Sequence, residues 1–334
     1  MLEKRRPYYD RFHCLAGACP DSCCKEWDVA VDPETAQRYV NLKTDLGHRL
    51  RQVMVLQEDG SAWIQNEKGR CPLWQEDGLC RIQRELGAEA LCQVCRDFPR
   101  LYHDYGAFVE LGLELSCPEA ARLIFSAPPE PFLETKVPGG EEAAVSPTLA
   151  LLLESRERAL ALLEGSPAQA LTALFFYGLQ VQDALDFEEE TCPLPAPAVV
   201  PPLPKKGSFS ALRDFFRNLD ILTDRWRQLL DTPPLSQPLP EDALALAQYF
   251  LDRYWLQALS DGDLMCRVKA VLAACLLLTS LPGDFRANAQ LFSKEIENSP
   301  ENWDAVLDAM YTEPAMTDSA LLWLLKNAEG TPEK

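Results

Sequence analysis

Cys14-Leu15-Ala16-Gly17-Ala18-Cys19-Pro20-Asp21-Ser22-Cys23-Cys24 is the stretch that divides this chain into two kinds of sequence. It sets four cysteines within a short, loop-forming segment, two of them adjacent. Five more follow at Cys71, Cys80, Cys92, Cys95 and Cys117, so nine of the twelve cysteines lie in the front third of the 334 residues. A thiolate is a soft, charge-bearing ligand, and so dense a group in a chain without a secretion signal predicts zinc or an iron–sulfur centre. Gly17, Pro20 and the close spacing predict irregular chain through Trp27, wrapped around a ligand. A disulfide framework would leave an odd cysteine and needs an oxidising compartment. Cys192, Cys266 and Cys275, by contrast, read as small buried apolar residues.

Outward from that stretch, Asp32-Pro33-Glu34 starts a helix, with Asp as cap and Pro at its first position. Residues 61–80 read as short extended pieces joined at Glu76-Asp77-Gly78. Short helices follow over 81–86, ended by Gly87, and over 88–97, stopped by Pro99. Alternation from Val109 to Leu115 predicts a strand with one buried face, and Cys117-Pro118-Glu119 begins a helix over 120–125. These elements define a cysteine-rich, cluster-binding domain over 1–126, whose thin core a metal centre would supplement. A linker over 127–147 and an α-helical domain over 148–334 complete the chain, the latter with a Pro-rich loop at 192–207. Helices are predicted there at 148–164, 167–187, 208–231, 241–260, 263–281, 284–297, 300–311 and 318–328. The fold class is therefore mainly α: a small irregular metal-binding domain with one β-hairpin, followed by an α-helical domain.

The formal charge of −19 is unevenly spread, with 16 basic against 20 acidic residues up to residue 125 and 16 against 31 beyond it. So acidic a chain lacks the basic face of a nucleic-acid binder. Val271–Leu278 is the longest apolar run, far below the ~20 residues of a membrane span, and predicts a buried core helix. No apolar stretch follows Lys4-Arg5-Arg6, so no signal peptide is expected, and the expected location is cytoplasmic.

The cysteine spacings, C-x4-C-x3-C-C and then C-x8-C-x11-C-x2-C, contain no pair of zinc-ribbon knuckles. Only His13, His48 and His103 are available as imidazole ligands, and His13 reads as a loop residue. Cys19-x3-Cys23 has the form of half a radical S-adenosylmethionine motif, but Glu26 stands where the third cysteine is required. No G-x-G-x-x-G follows a strand, so the usual dinucleotide-type cradle is missing.

Phe12-His13-Cys14, Cys19 through Val29, Cys71-Pro72-Leu73-Trp74, Asp77 through Gln83, Cys95 through Arg100 and Leu113 through Arg122 together resemble the flagellin lysine-N-methylase family. Tyr249–Tyr254, Asp261–Leu264 and Ser293–Asn302 resemble its later blocks. The resemblance implies transfer of methyl groups from S-adenosylmethionine to flagellin lysines by a protein holding a 4Fe–4S cluster. It implies Cys14, Cys19, Cys23, Cys24, Cys71, Cys80, Cys95 and Cys117 as the metal ligands, and leaves Cys92 outside that set. Eight thiols would also serve two four-thiolate sites. Arg100 is a candidate for the cofactor carboxylate. Asp21, Glu26, Asp97 and Tyr102 are acid–base candidates near the thiols, each also suited to surface or capping duty, and no catalytic residue is assigned. The alternative is a non-catalytic zinc- or iron-binding module that presents its helical part to a protein partner.

Overall fold

Helix Met265–Ser280 is buried at all sixteen of its positions, the expected core helix around Val271–Leu278. Around it pack helices Pro167–Asp186, Phe209–Arg217, Asp242–Tyr254, Phe285–Phe292, Pro300–Thr312 and Asp318–Asn327. The protein, described here from a computed structural model over residues 1–127, 130–138, 143–189, 191–204 and 206–328, is mainly α. Residues 128, 129 and 139–142 of the expected linker, Lys205 of the Pro-rich loop and the last six residues of the helical part lie outside the described residues.

Local chemistry sets most helix ends where the sequence puts them. Asp32 accepts from the Thr35 amide and Pro33 follows it, while Ser299 accepts from Asn302 ahead of Pro300. The predicted helix 208–231 is instead two, Phe209–Arg217 and Asp224–Asp231. Thr223 caps the second by accepting from Trp226, and the Glu295 carboxylate takes the Leu222 and Thr223 amides at 2.7 and 2.9 Å. A buried acid from elsewhere in the chain thus satisfies the donors that a continuous helix would have paired internally. Helix Phe285–Phe292 runs on as a π-helical turn over Ser293–Glu297, buried at all five residues.

The front of the chain is more ordered than its spacing suggests. Where one hairpin was expected, the described residues hold seven strands in two sheets. In chain order these are β1 (Leu2–Arg5), β2 (Val29–Val31), β3 (Met54–Leu56), β4 (Ala62–Ile64), β5 (Arg100–Asp104), β6 (Val109–Leu113) and β7 (Leu133–Lys136). One sheet has the order β5-β6-β1-β7, with β1 parallel to β6 and antiparallel to β7. The opening residues, expected as loop, therefore pair on both sides, and part of the linker stretch is strand. The other sheet, β2-β4-β3, is antiparallel.

Two apolar cores result. The larger holds Phe108, Leu113, Leu115 and helix Pro118–Ser126 together with the helical half. The smaller gathers Val29, Tyr39, Leu46, Leu50, Ile64 and Leu73, with Cys71 and Cys92 buried among them. Glu110 on β6 and Arg156 on helix Pro147–Ala161 tie the first sheet to the helices through two hydrogen bonds of 2.8 and 2.9 Å.

Removing one member of a buried ion pair strands the other, at a cost of about 3–5 kcal/mol. Arg156→Met should therefore lower the unfolding free energy in urea by that amount, and adding Glu110→Gln should recover part of the loss.

Candidate functional site

All twelve cysteines are free, so none of the front nine is bridged to another. The loops that carry them are fixed by backbone contacts. The Cys71 amide donates to the Cys24 carbonyl at 2.8 Å, and Trp74 and Cys80 form an isolated bridge. Gly17, between Cys14 and Cys19, lies against the turn that leads to Cys80. A Cβ on Gly17 would stand 2.8 Å from the Asp77 carbonyl oxygen, and Gly78, at a φ of +78°, touches Gly17 in return. Only glycine fits either position, and the two thiol-bearing loops meet there.

The sulfurs line two cavities, of about 230 and 480 Å³. Cys14, Cys19 and Cys117 border the smaller alone, and Cys71 and Cys92 the larger alone. Cys23, Cys24, Cys80 and Cys95 border both, with Trp27 and Phe98. Among the described residues no three Cys, His or carboxylate side chains are placed to hold a single ion. The thiols ring open volume instead.

Their ionisation follows burial and pairing. Burial pushes the Cys71 thiol up to about 12 and Cys117 up to about 11, and it also raises Cys19 and Cys80. The Cys23 thiol donates to the Cys24 sulfur, which lowers Cys24 to about 7 and raises Cys23. Cys95 donates likewise to Cys92, lowering Cys92 and raising Cys95. Cys71, Cys92 and Cys117 are buried, Cys19, Cys24, Cys80 and Cys95 partly so, and Cys14 and Cys23 exposed; soft donors arranged around open volume would suit a centre spread over several atoms, such as an iron–sulfur cluster, rather than one bound ion. Cys92, outside the implied ligand set, is 2 % exposed and stands within this group.

The other sequence candidates separate. Asp21 and Glu26 meet the same ammonium, Lys294 on the π-helical turn, at 3.1 and 2.6 Å. Lys294 is buried, lies 5.3 Å from the Trp27 ring centre and borders the smaller cavity. Glu26 holds a φ of 77°, a left-handed conformation that costs a non-glycine residue about 1–3 kcal/mol. Arg100 borders the smaller cavity with its guanidinium 5.1 Å from the Phe12 ring centre. Asp97, beside Arg96, and Tyr102 are exposed, and His13 is an exposed loop residue.

The sequence reading missed Lys294, Glu114 and Glu297. Glu297 accepts from the Tyr254 and Tyr249 hydroxyls at 2.7 and 3.1 Å and pairs with Arg253 at 3.3 Å. Arg253 reaches Glu114 on its other side at 3.7 Å, and both carboxylates border the larger cavity. Burial raises the Glu114 carboxyl, Arg253 opposes the shift, and Glu297 adds to it. Lys294-Glu295-Ile296-Glu297 reads in sequence as the solvated end of a helix, and only its family-like block marked it.

No protein-family profile matches the chain, and no solved structure does. It is 36 % identical over 135 residues to the lysine-N-methylase of Salmonella typhimurium, a match covering 39 % of this chain and 34 % of that protein. The lysine-N-methylase of Salmonella choleraesuis is 35 % identical over a stretch of the same length. This chain therefore spans about a third of the length of these relatives. The flagellar biosynthetic protein FliU of Salmonella muenchen is 35 % identical over 127 residues, 36 % of this chain and 75 % of that protein.

Replacing Lys294 by Met leaves Asp21 and Glu26 without their buried cation. A stability loss of about 3 kcal/mol is expected. Hydrogen exchange should also quicken in residues 19–27 before it does in helix Met265–Ser280; unchanged protection there would remove Lys294 as the tie.

Proposed function

The chain belongs to the flagellin lysine-N-methylase family, and on that footing we propose that it transfers methyl groups from S-adenosylmethionine to lysine side chains of flagellin, with a 4Fe–4S cluster held by its front cysteines. The observation that carries this reading is the set of unbridged thiols around two cavities that reach buried carboxylates. Cys14, Cys19, Cys23, Cys24, Cys71, Cys80, Cys95 and Cys117 are the residues implied as its holders. When bound, such a cluster would supply charge at iron beside the two cavities.

Methyl transfer forms a bond between the lysine nitrogen and the methyl carbon. It breaks the methyl–sulfur bond, with the electron pair staying on sulfur, and one proton leaves nitrogen. A free lysine ammonium has a pKa of ~10.4, so the site must strip it of water or accept its proton. The larger cavity supports both. Val29, Trp63, Ile64 and Phe98 give it apolar walls, and Glu114 stands at its edge with a raised carboxyl suited to take a proton. The smaller cavity offers Arg100 to a carboxylate such as that of S-adenosylmethionine. The work required is largely alignment of nitrogen, carbon and sulfur.

No helix among the described residues is long and apolar enough to cross a membrane.

Anaerobically purified protein incubated with flagellin and methyl-labelled S-adenosylmethionine should place label on lysine. A metal-loaded protein that leaves flagellin unlabelled overturns the reading, and zinc without sulfide in such a protein favours the non-catalytic metal-binding module. Glu114→Gln should slow transfer by about 10²-fold with the metal content unchanged. An unaltered rate would remove Glu114 from the proton's path.

A further inference from the structure

The sheet β2-β4-β3 has an apolar outer face. An antiparallel sheet that covers a core with one side normally turns polar residues outward on the other. Here Val29, Ile64 and Met54 form one paired row, and Val31 and Ala62 begin another, all of them buried. The row between these two points the opposite way and consists of Ala30, Trp63 and Val55, paired directly across the three strands. Ala30 is exposed, and Trp63 and Val55 are 43 and 44 % exposed. Val94, on the short helix Gln93–Asp97, is 50 % exposed.

That outward row runs into the larger cavity, which Ala30, Trp63 and Val94 all border. Exposed Asp28 stands on the same edge, its carboxylate accepting from the Asn66 amide at 2.8 Å. Largely buried Glu114 and Glu297 border the cavity too, and among the described residues no lysine or arginine does. An apolar lip on an acidic cavity suits a polypeptide that puts a cationic side chain inside and apolar neighbours on the lip. A second copy of the chain fits less well. A stable interface uses about 20–30 residues a side, far more than this strip presents. Two copies would also bring together chains of formal charge −19.

We propose that Trp63, Val55 and Val94 form a docking strip that selects protein lysines with apolar residues beside them, the lysine entering the larger cavity and its neighbours lying across the strip. The inference rests on the proposed methyl transfer for the fate of that lysine, and adds the sequence context that the acceptor must have. The strip's own contacts are apolar and do not depend on what the thiols hold.

The test measures binding of short dye-labelled peptides to the full protein, purified without oxygen, by fluorescence anisotropy in the absence of S-adenosylmethionine. One peptide carries a single central lysine flanked by valines, a second the same lysine flanked by serines, and a third norleucine in the lysine's place between valines. The first should bind, and the other two should bind about tenfold more weakly or worse. Trp63→Ser should weaken the first peptide about tenfold and Val55→Ser, outside the cavity, several-fold, with the serine-flanked peptide unaffected by either. Circular dichroism verifies each variant's fold, and where a variant does not fold the peptide series on the wild-type protein decides. A serine-flanked or norleucine peptide that binds as tightly as the first overturns the proposal, as does a first peptide that does not bind. Folded variants that bind the first peptide like the wild type overturn it as well, and so does self-association in sedimentation that Val55→Ser abolishes. Binding in the expected order by a metal-loaded protein that transfers no methyl group to the lysine would sink the functional reading and leave this one standing. Methyl transfer indifferent to the flanking residues would do the reverse.

Discussion

The buried ammonium of Lys294 is the constraint from which the arrangement of the site follows. An unpaired charge in the interior costs several kcal/mol, so Lys294 must be met by acids. Both come from the loop between the cysteines, Asp21 just before Cys23 and Glu26 just after Cys24. The ion triad therefore fixes the position of the adjacent thiols relative to the helical half. Neighbouring contacts serve the same end: Gln290 donates to the Ser116 carbonyl and Asn298 to the Ser116 hydroxyl, which holds Cys117 against the same turn. A π-helical turn widens the helix by one residue per turn, and such turns collect at functional sites. Here the turn Ser293–Glu297 aims Lys294 at the smaller cavity and Glu297 at the larger.

This explains how a front segment with little core of its own can present so many sulfurs. The smaller core is made of short helices and three short strands, and its loops are irregular between Ile64 and Arg81. Hydrophobic burial alone would leave such loops several arrangements of similar energy. Glycine contact at Gly17 and Gly78, the hydrogen bond from Cys71 to Cys24 and the Lys294 triad remove most of that freedom. The sulfurs are thus placed by the protein's own contacts.

Much of the helical half was legible, because its signals are local. The cap at Ser299, prolines at first helical positions and the apolar run at Val271–Leu278 each act within a few residues. The features not legible depend on partners far away in the chain. Strand β1 is short and its neighbours lie more than a hundred residues on, so nothing nearby marks it as paired. The break in the predicted helix 208–231 depends on Glu295, which no local pattern could supply. The site divides similarly. The cysteines were visible as a group, but which cavity each of them borders was not. Lys294 and Glu297 were hidden for the opposite reason, for charged residues at a helix end normally face water.

Charge around the two cavities gives the site a direction. Arg96, Arg100 and Lys294 border the smaller one, where Lys294 meets both Asp21 and Glu26, Arg96 lies beside Asp97, and Glu119 pairs with Arg122. Among the described residues no lysine or arginine borders the larger cavity, which carries Asp28, Glu114 and Glu297 against Arg253 behind its wall. Glu114 and Glu297 share that single cation, so the buried cluster holds one more negative charge than positive when both are ionised. A cationic group is accordingly favoured in the second cavity. The wall it shares with the first is formed by Trp27, Phe98 and the sulfurs of Cys23, Cys24, Cys80 and Cys95.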